Sequence, residues 1–118
     1  MATVLLVEDN DDAREMMALA LQLGGHEVWP ARHGREALAL LREEGRPALI
    51  LTDLMMPVMN GWELKAALVS DPEFADVPIV AVSAVPAEQL PCLYGMDLVS
   101  KPVDIDELLN LVWERCGT

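Results

Sequence analysis

The sequence predicts an α/β domain: a single parallel sheet with helices on both faces, the doubly wound arrangement. Three observations carry that prediction. Apolar runs of strand length alternate five times with segments of helical periodicity. The two most central runs, residues 48–53 and 77–82, lack polar alternation, as strands buried on both faces do. No linker, repeat or low-complexity stretch interrupts the pattern, and 118 residues suffice for one core but not two.

Residues 3–7 are the first run, and Glu8-Asp9 end it. Asn10 is placed to cap the following helix, and Asp11 and Asp12 suit the positive end of its dipole. Ala13, Met16, Met17 and Ala20 recur at helical spacing and are assigned to its inner face, and Gly24-Gly25 stop it. Residues 26–31 read as a short edge strand, because Pro30 cannot donate to a central ladder. His33-Gly34 turn into a second helix through Ala37, Leu38 and Leu41, ended by Gly45 and Pro47. His26 and His33 have no ligand spacing around them and read as ordinary surface or turn residues.

The central run ends at Asp53, followed by a loop holding Pro57, Asn60 and Gly61. Asn60 and Glu63 match a capping box for a third helix that turns Leu64, Ala67 and Leu68 inward. The run at 77–82 ends in Ser83-Ala84. Between Val85 and Asp97, the residues Pro86, Pro91 and Gly95 leave room for about two helical turns. Residues 98–100 form a weak edge strand leading to Lys101-Pro102. Asp104 and Glu107 open the last helix, with Ile105, Leu108, Leu109 and Val112 on its inner face.

Composition narrows the function. Hydrophobic residues make up 53%, too many for a disordered chain. A net charge of −12 repels nucleic acid and anionic membranes. No apolar run approaches the roughly 20 residues of a membrane span, and the amino terminus shows no signal-peptide pattern. Cys92 and Cys116 lack metal-ligand spacing and are expected to be reduced thiols, which favours a cytoplasmic location.

Four strand ends carry Glu8-Asp9, Asp53, Ser83 and Lys101. In a parallel sheet those ends share one rim, where ligands bind. Each residue taken singly is as well explained by a helix start, a turn or a surface salt bridge; four on one rim are not. Three clustered carboxylates call for a cation, and oxygen-only donors select a hard one, Mg²⁺ or Mn²⁺. Metal, lysine and hydroxyl together match a phosphoryl group. Asp53, on the most central strand, is the best-placed nucleophile for an acyl phosphate. Asp9, with Glu8 nearby, would hold the metal, while Lys101 and Ser83 would bind phosphoryl oxygens.

These residues give the chain its resemblance to the receiver domains of bacterial two-component response regulators. The markers are Val7-Glu8-Asp9-Asn10, Asp53-Leu54-Met55-Met56-Pro57 with Met59-Asn60-Gly61, residues 78–84 and Lys101-Pro102. The resemblance covers residues 4 to about 112. It implies a flavodoxin-like five-stranded sheet of order 2-1-3-4-5. It further implies that Asp53 accepts a phosphoryl group from a histidine kinase or His-containing phosphotransfer protein. Glu8 and Asp9 would be the acidic Mg²⁺ pair, the Met55 carbonyl a further ligand, and the bond before Pro102 cis. In the family a hydroxyl residue, here Ser83 beside Ala84, moves onto the phosphoryl group while an aromatic ring turns inward, a switch read by a downstream protein. Here Leu98 stands at the aromatic position, and Tyr94 is the nearby substitute. The spacing from Ser83 to Lys101 is shorter than usual, so the fourth helix is expected to be truncated, tilted or missing.

Three alternatives are weaker. A haloacid-dehalogenase-type phosphatase would need a second Asp two residues after the nucleophile, where Met55 stands. An FMN-binding module would need a phosphate loop where this chain has Glu8-Asp9-Asn10-Asp11-Asp12. A pseudo-receiver that binds partners without phosphorylation is favoured only by the unusual stretch from Val85 to Asp97. The expected organisation is one receiver domain over 1–118 with no output domain.

Overall fold

A computed structural model describes residues 2–56, 59–90 and 96–116. Five strands, β1 (Thr3–Val7), β2 (Glu27–Ala31), β3 (Leu49–Asp53), β4 (Ile79–Ser83) and β5 (Asp97–Ser100), form one sheet of order β2-β1-β3-β4-β5. Every pairing is parallel. The α-helices are α1 (Asp11–Leu23), α2 (Gly34–Glu44), α3 (Gly61–Val69) and α4 (Ile105–Cys116). β1, β3 and β4 are interior, so their residues are buried almost throughout, while β2 and β5 form the edges.

Strand alternation divides the core in two. Leu5, Val7, Ile50, Ile79 and Ala81 face Ala37 and Leu41 of α2 and Leu64 and Leu68 of α3. Val4, Leu6, Leu51, Val80 and Val82 face Met17 and Leu21 of α1 and Leu108 and Val112 of α4. The helix starts follow their caps. Asn10 Oδ1 accepts from the Ala13 N–H at 2.8 Å, and Asn60 and Glu63 complete the capping box of α3.

Two expectations need correction, those for Met16 and His26. Met16 is 50% exposed, and the inner face of α1 continues through Leu21 instead, because 17, 20 and 21 share one helical stripe. His33 turns the chain into α2 as expected and serves as its N-cap, its Nδ1 accepting from the Glu36 N–H at 3.2 Å. His26 is buried rather than superficial, and its Nδ1 accepts from the Ala2 N–H at 3.2 Å. The shortened crossover before β5 bears out the expectation for the fourth helix. Its described part holds a single 3-10 turn, Ala87–Gln89, closed by the Gln89 N–H on the Pro86 carbonyl. Tyr94, Pro91, Cys92 and Gly95 lie outside the described residues.

Candidate functional site

Parallel pairing puts the carboxyl ends of β1, β3, β4 and β5 on one rim, and the chemistry of the strand ends meets there. Asp53 is the last residue of β3 and Glu8 the first after β1. Asp9 follows Glu8 just before the Asn10 cap, so the start of α1 fixes where it points. Carboxylate oxygens of Glu8, Asp9 and Asp53 lie within 4.8 Å of one another. Glu8 and Asp53 are buried, at 1% and 6% exposure, whereas Asp9 is open to solvent.

Lys101, just beyond β5, reaches across the rim. Its Nζ donates to Glu8 Oε1 at 2.9 Å and to Asp53 Oδ2 at 3.0 Å. The Lys101 N–H donates to the Ser83 carbonyl at 2.8 Å, tying the end of β5 to that of β4, and the Lys101–Pro102 bond is cis. Burial pushes the Glu8 carboxyl up to about 7, helped by the Asp53 carboxylate and opposed by the Lys101 ammonium. Burial alone would lower the Lys101 ammonium, but hydrogen bonds to Glu8 and Asp53 outweigh it and hold the group above its usual value. One lysine thus sits between two buried carboxylates, with a third within ligand distance. The all-oxygen trio fits a hard divalent cation.

The described ends of the loop after β3 pack closely against Asp53. The Met55 N–H donates to Asp53 Oδ1 at 3.3 Å while its side chain is exposed. The Gly61 N–H donates to the Leu54 carbonyl at 3.0 Å, and a Cβ on Gly61 would lie 3.0 Å from both the Asp53 carbonyl oxygen and Leu54 Cα. Only glycine lets α3 start so close to Asp53. Ser83 is buried on the same rim, but its Oγ accepts from the Val85 N–H at 3.0 Å. Ala84 beside it and Pro102 are exposed, and Leu98 is half-buried against the α2–α3 side of the core.

One residue escaped the sequence reading. Arg14 donates from Nη1 to the Glu8 carbonyl at 2.9 Å and pairs through Nη2 with Asp11. It therefore holds the turn that presents Glu8 and Asp9. A cation in the first turns of a helix opposes the dipole, and that oddity was the available signal.

Comparison with known proteins identifies the family. The family model for the response regulator receiver domain matches residues 4–113. Protein PilH of Pseudomonas aeruginosa is 31% identical over 117 residues, covering 95% of each chain. The chemotaxis protein CheY4 of Vibrio cholerae superposes with a TM-score of 0.86 at 30% identity, covering 97% of this chain and 98% of that one. A response regulator receiver protein from Pseudomonas putida gives 0.86 at 31% identity, covering 95% of each. With a sheet of the expected order and this match over nearly its whole length, the chain belongs to the response regulator receiver domain family.

Proposed function

We propose that Asp53 accepts one phosphoryl group from a histidine kinase or a His-containing phosphotransfer protein, and that a protein partner reads the resulting change. The observation that carries this reading is the buried Glu8–Lys101–Asp53 contact beside Asp9. Glu8, Asp9 and Asp53, with the Met55 carbonyl, would hold Mg²⁺ or its substitute Mn²⁺. Bound there, the cation would supply positive charge against the trio and the incoming phosphoryl oxygens.

The chain's own groups do the rest. An Asp53 carboxylate oxygen forms the new bond to phosphorus as the bond to the donor imidazole nitrogen breaks, and the donor ring, already protonated on its other nitrogen, leaves as neutral imidazole. Lys101 turns from the Asp53 carboxylate to a phosphoryl oxygen, and the Ser83 hydroxyl donates to another. Leu98 in place of a ring gives Ser83 no aromatic partner on β5, so the output differs from the usual hydroxyl–aromatic relay unless Tyr94 substitutes. We place the protein in the cytoplasm as a phosphoacceptor rather than an enzyme acting on other molecules. It would catalyse at most its own phosphorylation and dephosphorylation. No helix among the described residues is long and apolar enough to cross a membrane.

Phosphotransfer from the histidine kinases of the same cell tests this reading. The expected result is label on the wild type and none on Asp53→Asn. Label on that variant would place the acceptor elsewhere.

A further inference from the structure

The turn between β1 and α1 is pinned from both sides. The Glu8 N–H donates to the Ala31 carbonyl of β2 at 3.0 Å, and the Glu8 carbonyl accepts from Arg14 Nη1 at 2.9 Å. That carbonyl and the Asp9 N–H belong to one peptide plane, so the guanidinium fixes the plane that joins the two acids. Beyond Asp9, the Arg14 N–H donates to the Asn10 carbonyl at 2.9 Å and the Ala13 N–H to Asn10 Oδ1 at 2.8 Å. Glu8 is held a second time through its carboxylate by Lys101. The exposed Asp9 makes no salt bridge among the described residues, so its backbone aims its carboxylate.

Arg14 is an unusual occupant of its place. Its side chain is only 15% exposed although it stands near the start of α1, where a cation opposes the dipole. Nη1 is taken by the Glu8 carbonyl and Nη2 by Asp11, so Arg14 grips the main chain of the acidic turn, whereas Lys101 grips carboxylates. We propose that Arg14 is a positioning residue for the cation site. By fixing the Glu8–Asp9 peptide it aims the Asp9 carboxylate at those of Glu8 and Asp53, and so raises the affinity for a divalent ion despite its own charge. This inference rests on the reading of those three carboxylates as a cation site.

The sign of the effect separates geometry from charge. A fixed cation near a metal site repels the metal, so on electrostatic grounds alone removing Arg14 would tighten binding. Loss of a group that orients a ligand weakens binding instead, typically by about 10–100-fold. Lysine keeps the charge but not the planar fork that holds the Glu8 carbonyl and Asp11 together.

Mn²⁺ is titrated into unphosphorylated protein, and the bound fraction is read from loss of the free-ion signal in electron paramagnetic resonance. No phosphodonor is present, so the result does not depend on which residue is the acceptor. Arg14→Ala should bind Mn²⁺ about tenfold more weakly than the wild type. Arg14→Lys should recover only part of that loss. Arg42→Ala, which removes an equal charge from the last turn of α2, should bind as the wild type does. Thermal melts without metal establish that each variant is folded. A purely structural role for Arg14 would lower the midpoint and leave the affinity of the folded protein unchanged. Should alanine unfold the protein, Arg14→Lys carries the test, with weaker binding expected. Unchanged or tighter binding in Arg14→Ala, or wild-type affinity in Arg14→Lys, would overturn the proposal. A wild type that takes up no Mn²⁺ would overturn the cation-site reading and this inference with it.

Discussion

Two acidic regions of this molecule use the same side chains under opposite conditions. At the strand rim, the carboxylates of Glu8 and Asp53 are buried, crowd a third at Asp9, and share one lysine. Along the groove between β5 and α4, Asp104, Asp106, Glu107 and Glu114 are exposed, the first three at the start of α4 and the last about two turns further on. Two like charges 4 Å apart at a partly buried site repel by about 4 kcal/mol, whereas exposed charges beyond roughly 8–10 Å are screened by salt. The rim stores a cost that a small cation can relieve. The groove stores little and offers only a field. Burial and spacing, not the number of acids, separate the two regions.

The largest contrast is all-or-none. In Mg²⁺ and acetyl phosphate the wild type should gain one phosphoryl group by intact mass, and Asp53→Asn should gain none. Glu107→Lys/Glu114→Lys should match the wild type; failure of that pair would merge the two regions. Next in size is the lysine. Lys101→Ala leaves Glu8 and Asp53 facing each other without a cation, and urea unfolding should show a loss of about 2–3 kcal/mol, below the full cost of a wholly buried pair because Lys101 is 26% exposed. Arg115→Ala, which frees the exposed Asp97, should leave the midpoint unchanged.

The rim should also be sensitive to pH. The Glu8 carboxyl is raised from 4.5 to about 7, so between those values the native state keeps a proton that the unfolded chain has lost. Metal-free stability should therefore fall as pH rises through that window, relative to Glu8→Gln, by up to about 1.4 kcal/mol per unit. A flat difference between the two proteins would show that Glu8 is not under this strain. The smallest effect is that of the cation itself. Mg²⁺ at about ten times its dissociation constant should stabilise the wild type by about 1.4 kcal/mol and Asp9→Asn much less, as read from thermal melts.

Much of the rim was legible because strand ends announce themselves. An apolar run that stops at Asp53, or a weak strand that stops at Lys101, places a charge at the edge of the core whatever surrounds it. Asn60 with Glu63 was equally plain, since a capping box is local chemistry. Pro86 and Pro91 similarly announced that no full helix fits before β5. What stayed hidden depends on packing between elements. Met16 and Leu21 differ only in which side of one stripe faces the sheet. The buried His26 acquires its role by meeting Ala2, 24 positions away. Arg14 matters through a backbone carbonyl, which no side-chain pattern records. The groove exists only once β5 and α4 bring Leu98 beside Leu111.

Borohydride reduction after phosphorylation, followed by peptide mass spectrometry, tests the central claim most directly, because an aspartyl phosphate is reduced to homoserine. The account predicts homoserine at position 53 and nowhere else, formed only when a divalent cation was present. Reduction at another carboxylate, or undiminished modification in chelator, would contradict it.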